Sequence, residues 1–300
     1  GHMLVRHPVR PHVGVVMSQS ITAPGAYDGI PETEYQSDAL IGPPLARPMS
    51  YSSAKTILSH PARFAWEREN RRPGKREFDM GSLVHALLLR SGDDRLHVVD
   101  AYNWRTKAAQ ESRDEAQEQG KIAVHRGMLR DAARVAAAAR RDPRVTQILS
   151  DGRPEVSVYW VDEETGVTCR ARIDWLNPTD VVDVKTVGSY SKADPKPFGR
   201  SAASFDYPMQ AAVYTEGVER ATGVRRGFAT IAVELDPPHF VHVTRYPEWA
   251  VLAGEARWRR ALAIYAEREK SGQWADEGIT TTPVPEWYGY DEIDTPEIEV

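Results

Sequence analysis

The chain holds 300 residues, with 38 basic and 43 acidic side chains, a formal net charge of −5 and 41% hydrophobic residues. That is the balance of a globular chain of one or two domains, long enough to bury a sizeable core. No run approaches the roughly eighteen apolar residues of a membrane-spanning helix, and Val13–Met17 is too short for a secretory signal. The single cysteine, Cys169, excludes a disulfide framework, an iron–sulfur cluster and a cysteine zinc site, so a reducing, cytoplasmic setting is expected. The acidic balance speaks against a globally basic nucleic-acid coat but leaves room for a locally basic groove.

Gly1-His2-Met3 reads as a tag remnant. Residues 4–48, with prolines at 8, 11, 24, 31, 43, 44 and 48, read as a weakly ordered arm. One folded domain is expected over 49–275, followed by an acidic, proline-containing tail over 276–300. Ser50 and Ser52 are N-cap candidates for a helix through Leu58, and Pro61 opens a second helix through Glu69. Asp79 can cap a third over Met80 to Arg90, with Leu83, Leu87 and Leu88 on one side. Trp104 to Gln119 is highly charged and reads as an exposed helix or a flap. The alanine-rich stretch Arg126 to Arg141 is a strong helix, interrupted by Asp142-Pro143.

The texture changes at Pro154. Glu155 to Asp162 alternates Val156, Val158 and Trp160 against Ser157 and Tyr159, a strand pattern. A turn at 163–166 leads to a partner strand over Val167 to Leu176, and a turn at 177–180 to a third strand over Val181 to Val187. A loop over 188–203, a helix from Ser204 to about Ala221, strands at Phe228–Leu235 and Phe240–Val243, and a helix from Pro247 to Gly272 complete the domain. The order predicts an α/β fold with a mixed central β-sheet flanked by helices.

Asp183 and Lys185 lie two apart on the third strand and therefore project from one side. Burying an acid and a base there costs several kcal/mol per uncompensated charge. The cost is tolerated where the two pair structurally or where a metal or reaction uses them. Carboxylates on adjacent strands, Glu155, Asp174 and Asp183, suit a hard cation that takes phosphate oxygens and lowers the pKa of a bound water. Lys185 beside it could orient or deprotonate that water.

Asp174 followed after a turn by Asp183-Val184-Lys185 resembles the D…(D/E)-x-K core of the restriction-endonuclease-like, or PD-(D/E)xK, nuclease superfamily. Three further matches point to its RecB-like branch: Gln210-Ala211-Ala212-Val213-Tyr214 resembles Q-x-x-x-Y, Gly81-Ser82-Leu83-Val84-His85 resembles G-x-x-x-H, and Glu155 matches the acid of the preceding strand. Tyr51-Ser52-Ser53-Ala54-Lys55 and Phe64-Ala65-Trp66 resemble the opening of RecE-type phage or prophage recombination exonucleases. The resemblance implies that His85, Glu155, Asp174, Asp183 and the Val184 carbonyl bind Mg²⁺ or Mn²⁺, two ions per site. It makes Lys185 the catalytic lysine, with Gln210 and Tyr214 supporting the site or touching the DNA backbone. It also implies degradation of linear duplex DNA from an end, 5′ to 3′, by a homo-oligomer working beside a single-strand annealing protein.

Simpler roles stand beside these. His85 could be a satisfied helix histidine, Glu155 a strand-edge charge, and Gln210 and Tyr214 plain helix packing. Arg71, Arg72, Lys75 and Arg76 form the densest basic loop, and Trp104, Arg105 and Lys107 combine a ring with cations; both are candidate DNA contacts, with solvated faces as the alternative. Rival functions are a RecB-like nuclease acting on single strands or as an endonuclease, and a DNA-end-binding module whose metal site is vestigial.

Overall fold

The computed structural model of the chain describes residues 20–70, 80–91, 96–119, 121–188 and 192–275. Residues 20–48 depart from the expected loose arm: they form strand β1 (Gly25–Tyr27) and helix α1 (Glu32–Ser37). The reason lies on the sheet they cover. Ser157 and Tyr159, expected to face outward, are both buried, and Tyr159 closes a cluster with Ile21, Ile30, Tyr35 and Leu45.

Helices α2 (Tyr51–Ser59) and α3 (Pro61–Glu69) follow, the first capped by the Ser50 side chain, which accepts from the Ser53 N–H at 3.2 Å, and the second opened by Pro61 at its first position. Helix α4 (Met80–Leu89) turns Leu83, Val84 and Leu88 inward; its expected cap, Asp79, lies outside the described residues. Strand β2 (Leu96–Val99), helix α5 (Lys107–Glu118) and strand β3 (Ile122–His125) make a small module in which the two strands pair in parallel. Both strands escaped the sequence reading, since four residues carry too little alternation. Helices α6 (Arg126–Arg141) and α7 (Pro143–Ile148) are capped by His125 and Asp142.

The main sheet is then laid down by β4 (Arg153–Val161), β5 (Thr168–Leu176) and β6 (Asp180–Val187). Helices α8 (Pro195–Phe205) and α9 (Tyr207–Thr222) cross over to β7 (Gly227–Glu234), and β8 (Val241–Thr244) and α10 (Glu248–Ser271) finish the chain. Helix α8 was expected to be loop. Its prolines fall in the first turn, where a missing N–H costs nothing, and Asp206 at φ 62° separates it from α9. The six strands run β1-β4-β5-β6-β7-β8, antiparallel except for β6–β7. That parallel pair is what requires the α8–α9 crossover.

The expected mixed sheet flanked by helices is present. On one face Val156, Val158, Trp160, Ile173 and Val181 pack against α2, α9 and α10; on the other Val182, Val184, Ile231 and Val233 pack against α4 and α6. The first layer is tight: a Cβ on Gly217 of α9 would sit 2.6 Å from Trp160 Cζ3. No helix among the described residues is long and apolar enough to cross a membrane.

Candidate active site

The β4–β5 ladder sets Pro154 opposite Trp175 and Val156 opposite Ile173, so Glu155 and Asp174 face each other between them. Both mark a break in regular strand. Glu155 has φ 54°, a left-handed value that costs a residue with a side chain about 1–3 kcal/mol. At Asp174 the alternation fails: Ile173 packs into the α9–α10 layer, whereas Trp175, two residues on, packs against the α4–α6 layer. Strands β5 and β6 pair only at Trp175–Val182 and Leu176–Val181. Beyond that point an Asp174 carboxylate oxygen accepts the Val184 N–H at 2.7 Å. The strands thus part where the acids lie.

Helix α4 presents His85 to this opening. Its Nε2 is 3.0 Å from Asp174 and its Nδ1 is 3.3 Å from Glu155. Glu155 is held further by Arg172 Nε at 2.8 Å and the Ser91 hydroxyl at 3.4 Å. On β6, Asp183 is 2% exposed; its Oδ1 accepts from Lys185 Nζ at 2.9 Å and from Gln210 Nε2 of α9 at 2.7 Å. Its Oδ2 also lies 2.9 Å from Lys185 Nζ but receives no hydrogen bond of its own. The Lys185 ammonium rests over the Tyr207 ring, 4.7 Å from its centre.

Burial opposes every charge here, and the neighbours decide the outcome. Burial pulls His85 down, but the charge and hydrogen bond of Asp174, then Glu155 and Asp183, outweigh it and raise the imidazole to about 9. Burial pushes Asp174 up, yet His85, Lys185 and the Val184 N–H hold it below the usual carboxylate range. Asp183 is pushed up to about 6 by burial, against Lys185 and with Asp174. Burial and Asp174 likewise raise Glu155, against His85 and Arg172. Lys185 is raised, because Asp183 and Asp174 outweigh its burial. Its ammonium is therefore a fixed cation, suited to orienting water or neutralising phosphate charge. In this metal-free arrangement burial alone does not free it to take a proton.

A family model described as a PDDEXK-like domain of unknown function, DUF3799, matches residues 50–277. The chain belongs to this DUF3799 family. No curated protein matches the sequence. Among solved structures, a protein from Eubacterium rectale described as a candidate exonuclease aligns with a TM-score of 0.54 at 16% identity, over 89% of this chain and all (100%) of that one. An alkaline exonuclease from Laribacter hongkongensis aligns over 63% of this chain and 90% of that one at 13% identity and a TM-score of 0.25. The first likeness shows a shared fold. The superfamily read from the D…D-x-K core is thus the one to which this DUF3799 chain belongs.

In the DUF3799 chain, His85, Glu155, Asp174 and Lys185 line a cleft of about 2360 Å³ whose far wall is formed by residues 28–38 and by α2 and α3. Asp183 and Gln210 stand just behind it. Tyr214 lines the cleft too, with burial pushing its phenol well above the usual range, and its ring meets Phe228 edge-on at 6.4 Å. It therefore packs as well as faces the cleft.

The other candidates fall elsewhere. Arg71, Arg72, Lys75 and Arg76 lie outside the described residues. Trp104 meets His125 edge-on at 5.1 Å and packs on Val99, Ala116 and Ala123, Lys107 is paired with Glu111, and neither these two nor Arg105 lines the cleft. Cys169 is buried and its thiol is raised well above its usual value by burial, as befits a core residue. Sequence reasoning missed Arg172, Ser91 and Tyr207. Arg172 carried a usable signal, since it lies two residues before Asp174 on one strand.

The implied divalent metal can be tested against this donor set. Among the described residues no three His, Cys, Asp or Glu side chains converge on one point, because His85 bonds the two carboxylates with which it would share an ion. The chemistry nevertheless fits: three carboxylates, one imidazole and the buried, hydrogen-bond-free Asp183 Oδ2 suit a hard cation such as Mg²⁺ or Mn²⁺. Superfamily nucleases generally use divalent metals.

Proposed function

We propose that the chain is a metal-dependent deoxyribonuclease that hydrolyses linear duplex DNA from an end. The observation that carries this is the row Glu155–Asp174–Asp183, joined to His85 and Lys185 at the parting of β5 and β6 in an open cleft. His85, Glu155, Asp174, Asp183 and the Val184 carbonyl would hold Mg²⁺ or Mn²⁺, two ions by family resemblance. Bound there, the metal supplies charge neutralisation at the phosphate and a water of lowered pKa. Lys185 keeps its proton on Nζ and aims it at the attacking water or a phosphate oxygen. Gln210 fixes the Asp183 carboxylate through Oδ1. By the RecE-type resemblance, degradation would run 5′ to 3′, by a homo-oligomer working beside an annealing partner in phage-type recombination.

The test is linear duplex labelled at the 5′ or the 3′ end, incubated in Mg²⁺ or in EDTA beside closed circles. Mg²⁺-dependent release of 5′ label is expected, with circles spared and Lys185→Ala inactive though folded. Wild-type activity in Lys185→Ala refutes the site. Retention of DNA ends without turnover favours a vestigial site, and cutting of circles or single strands favours a different RecB-like activity.

A further inference from the structure

Glu155 is the acid of the site with the least regular backbone and the most external support. Its left-handed φ of 54° is not secured by ladder pairing with Asp174, so its carboxylate depends on side-chain contacts for its place. Arg172 supplies the firmest of them. Its Nε donates to Glu155 Oε2 at 2.8 Å and lies 3.2 Å from Glu32, while Nη1 donates to the Ile30 carbonyl at 2.8 Å and to the Ser157 hydroxyl at 3.2 Å. The guanidinium also lies over the Tyr35 ring, 5.6 Å from its centre. Ile30, Glu32 and Tyr35 all belong to residues 20–48, ahead of the stretch matched by the family model.

We propose that Arg172 is a positioning residue for Glu155, and that the segment 20–48 holds Arg172 in place and so is a working part of the active site. This rests on the nuclease reading above. A planar fork that bonds in two directions transmits position in a way a single ammonium does not. Partners behind a metal ligand typically matter about 10–100-fold in metal affinity or activity. Arg170 provides an internal comparison. It contacts the same segment, through the Tyr35 carbonyl, Asp38 and the Tyr35 ring, but makes no bond to Glu155.

The experiment compares Arg172→Gln with Arg170→Gln in the full chain, by calorimetric titration with Mn²⁺ alone, by cleavage of linear duplex, and by melting. Removing a cation beside a cation site would by charge alone tighten Mn²⁺ binding; loss of positioning weakens it, so the two effects differ in sign. The expected result is Mn²⁺ affinity about tenfold or more weaker in Arg172→Gln and a clearly smaller loss in Arg170→Gln, which reaches Glu155 only through the segment, although both melt earlier. Unchanged or tighter binding in Arg172→Gln overturns the proposal, as does an equal loss in both variants. If Arg172→Gln fails to fold, Tyr35→Leu, which removes the ring but keeps an apolar side chain in its cluster, is read against Arg170→Gln by the same criterion. If the wild type binds Mn²⁺ without cutting DNA, the nuclease reading fails while the titration still decides the role of Arg172. If it binds no Mn²⁺, both fall.

Discussion

His85 sits between two carboxylates, and in the metal-free protein it keeps its proton up to about 9. Replacing it with Asn removes that titrating imidazole, while Asp183, raised to about 6, changes charge at lower pH. The folded value lies above the 6.5 of a free imidazole. The stabilisation it brings is therefore fully present below pH 6.5 and is lost as pH rises through about 9. A rise from 6.5 to about 9 corresponds to about 3 kcal/mol. Urea unfolding in EDTA across pH 6 to 9.5 measures this directly: the stability advantage of wild type over His85→Asn should shrink by about 3 kcal/mol over that range. The same proton competes with a metal, so apparent Mn²⁺ affinity should climb up to about tenfold per pH unit between 7 and 9 in wild type and lose that slope in the variant. A stability gap independent of pH would refute the assignment of the charge to His85.

Other perturbations follow from single contacts. Gln210→Ala removes a hydrogen bond to a buried carboxylate, worth about 1.5–3 kcal/mol, and should lower kcat about tenfold or more with KM little changed in steady-state cleavage assays. Gly217→Val drives a side chain into the Trp160 ring from 2.6 Å and should cost about 2 kcal/mol or more by overpacking, a fall of about 4–8 °C in Tm by calorimetry. An unchanged Tm would mean that α9 can move off the sheet.

How much of this was legible in the sequence depended on whether the signal was local. Val156, Val158 and Trp160 alternate over one strand, so β4 and its partner could be placed without a structure, and the D…D-x-K spacing placed Asp174 on β5 and Asp183 and Lys185 on β6. Ser50 caps its helix as its residue type predicts. What was hidden is non-local. Tyr159 is buried only because Ile21, Ile30, Tyr35 and Leu45 return from over a hundred residues away, and nothing in a proline-rich stretch announces that docking. The break in alternation at Asp174 arises from the parting of β5 and β6, which follows from pairing rather than from composition. Trp104, Arg105 and Lys107 show in sequence a ring beside cations but not their direction, which the structure adds: His125 packs edge-on with the Trp104 ring and Lys107 pairs with Glu111.

The charges of the site explain how it can fold before any metal arrives. Each acid has its own cation: Glu155 has Arg172, Asp174 has His85, and Asp183 has Lys185. Three carboxylates without such partners would repel across adjacent strands and pay desolvation besides. Of the three cations only His85 can lose its proton within an ordinary working range, since arginine stays charged and Lys185 is raised. A divalent ion brings two positive charges and displaces the one proton held by His85, so exchange leaves the site more positive than before. A phosphodiester would then be drawn to a cleft in which several of the described arginines are committed to acids, as Arg153 is to Asp28, Arg170 to Asp38 and Arg68 to Glu269. On this reasoning DNA affinity itself should depend on the metal: duplex binding in Ca²⁺, which occupies hard oxygen sites, should be stronger than in EDTA, and the difference should vanish in Asp174→Ala. Equal binding with and without Ca²⁺ would show that the phosphate is held by basic groups elsewhere in the chain.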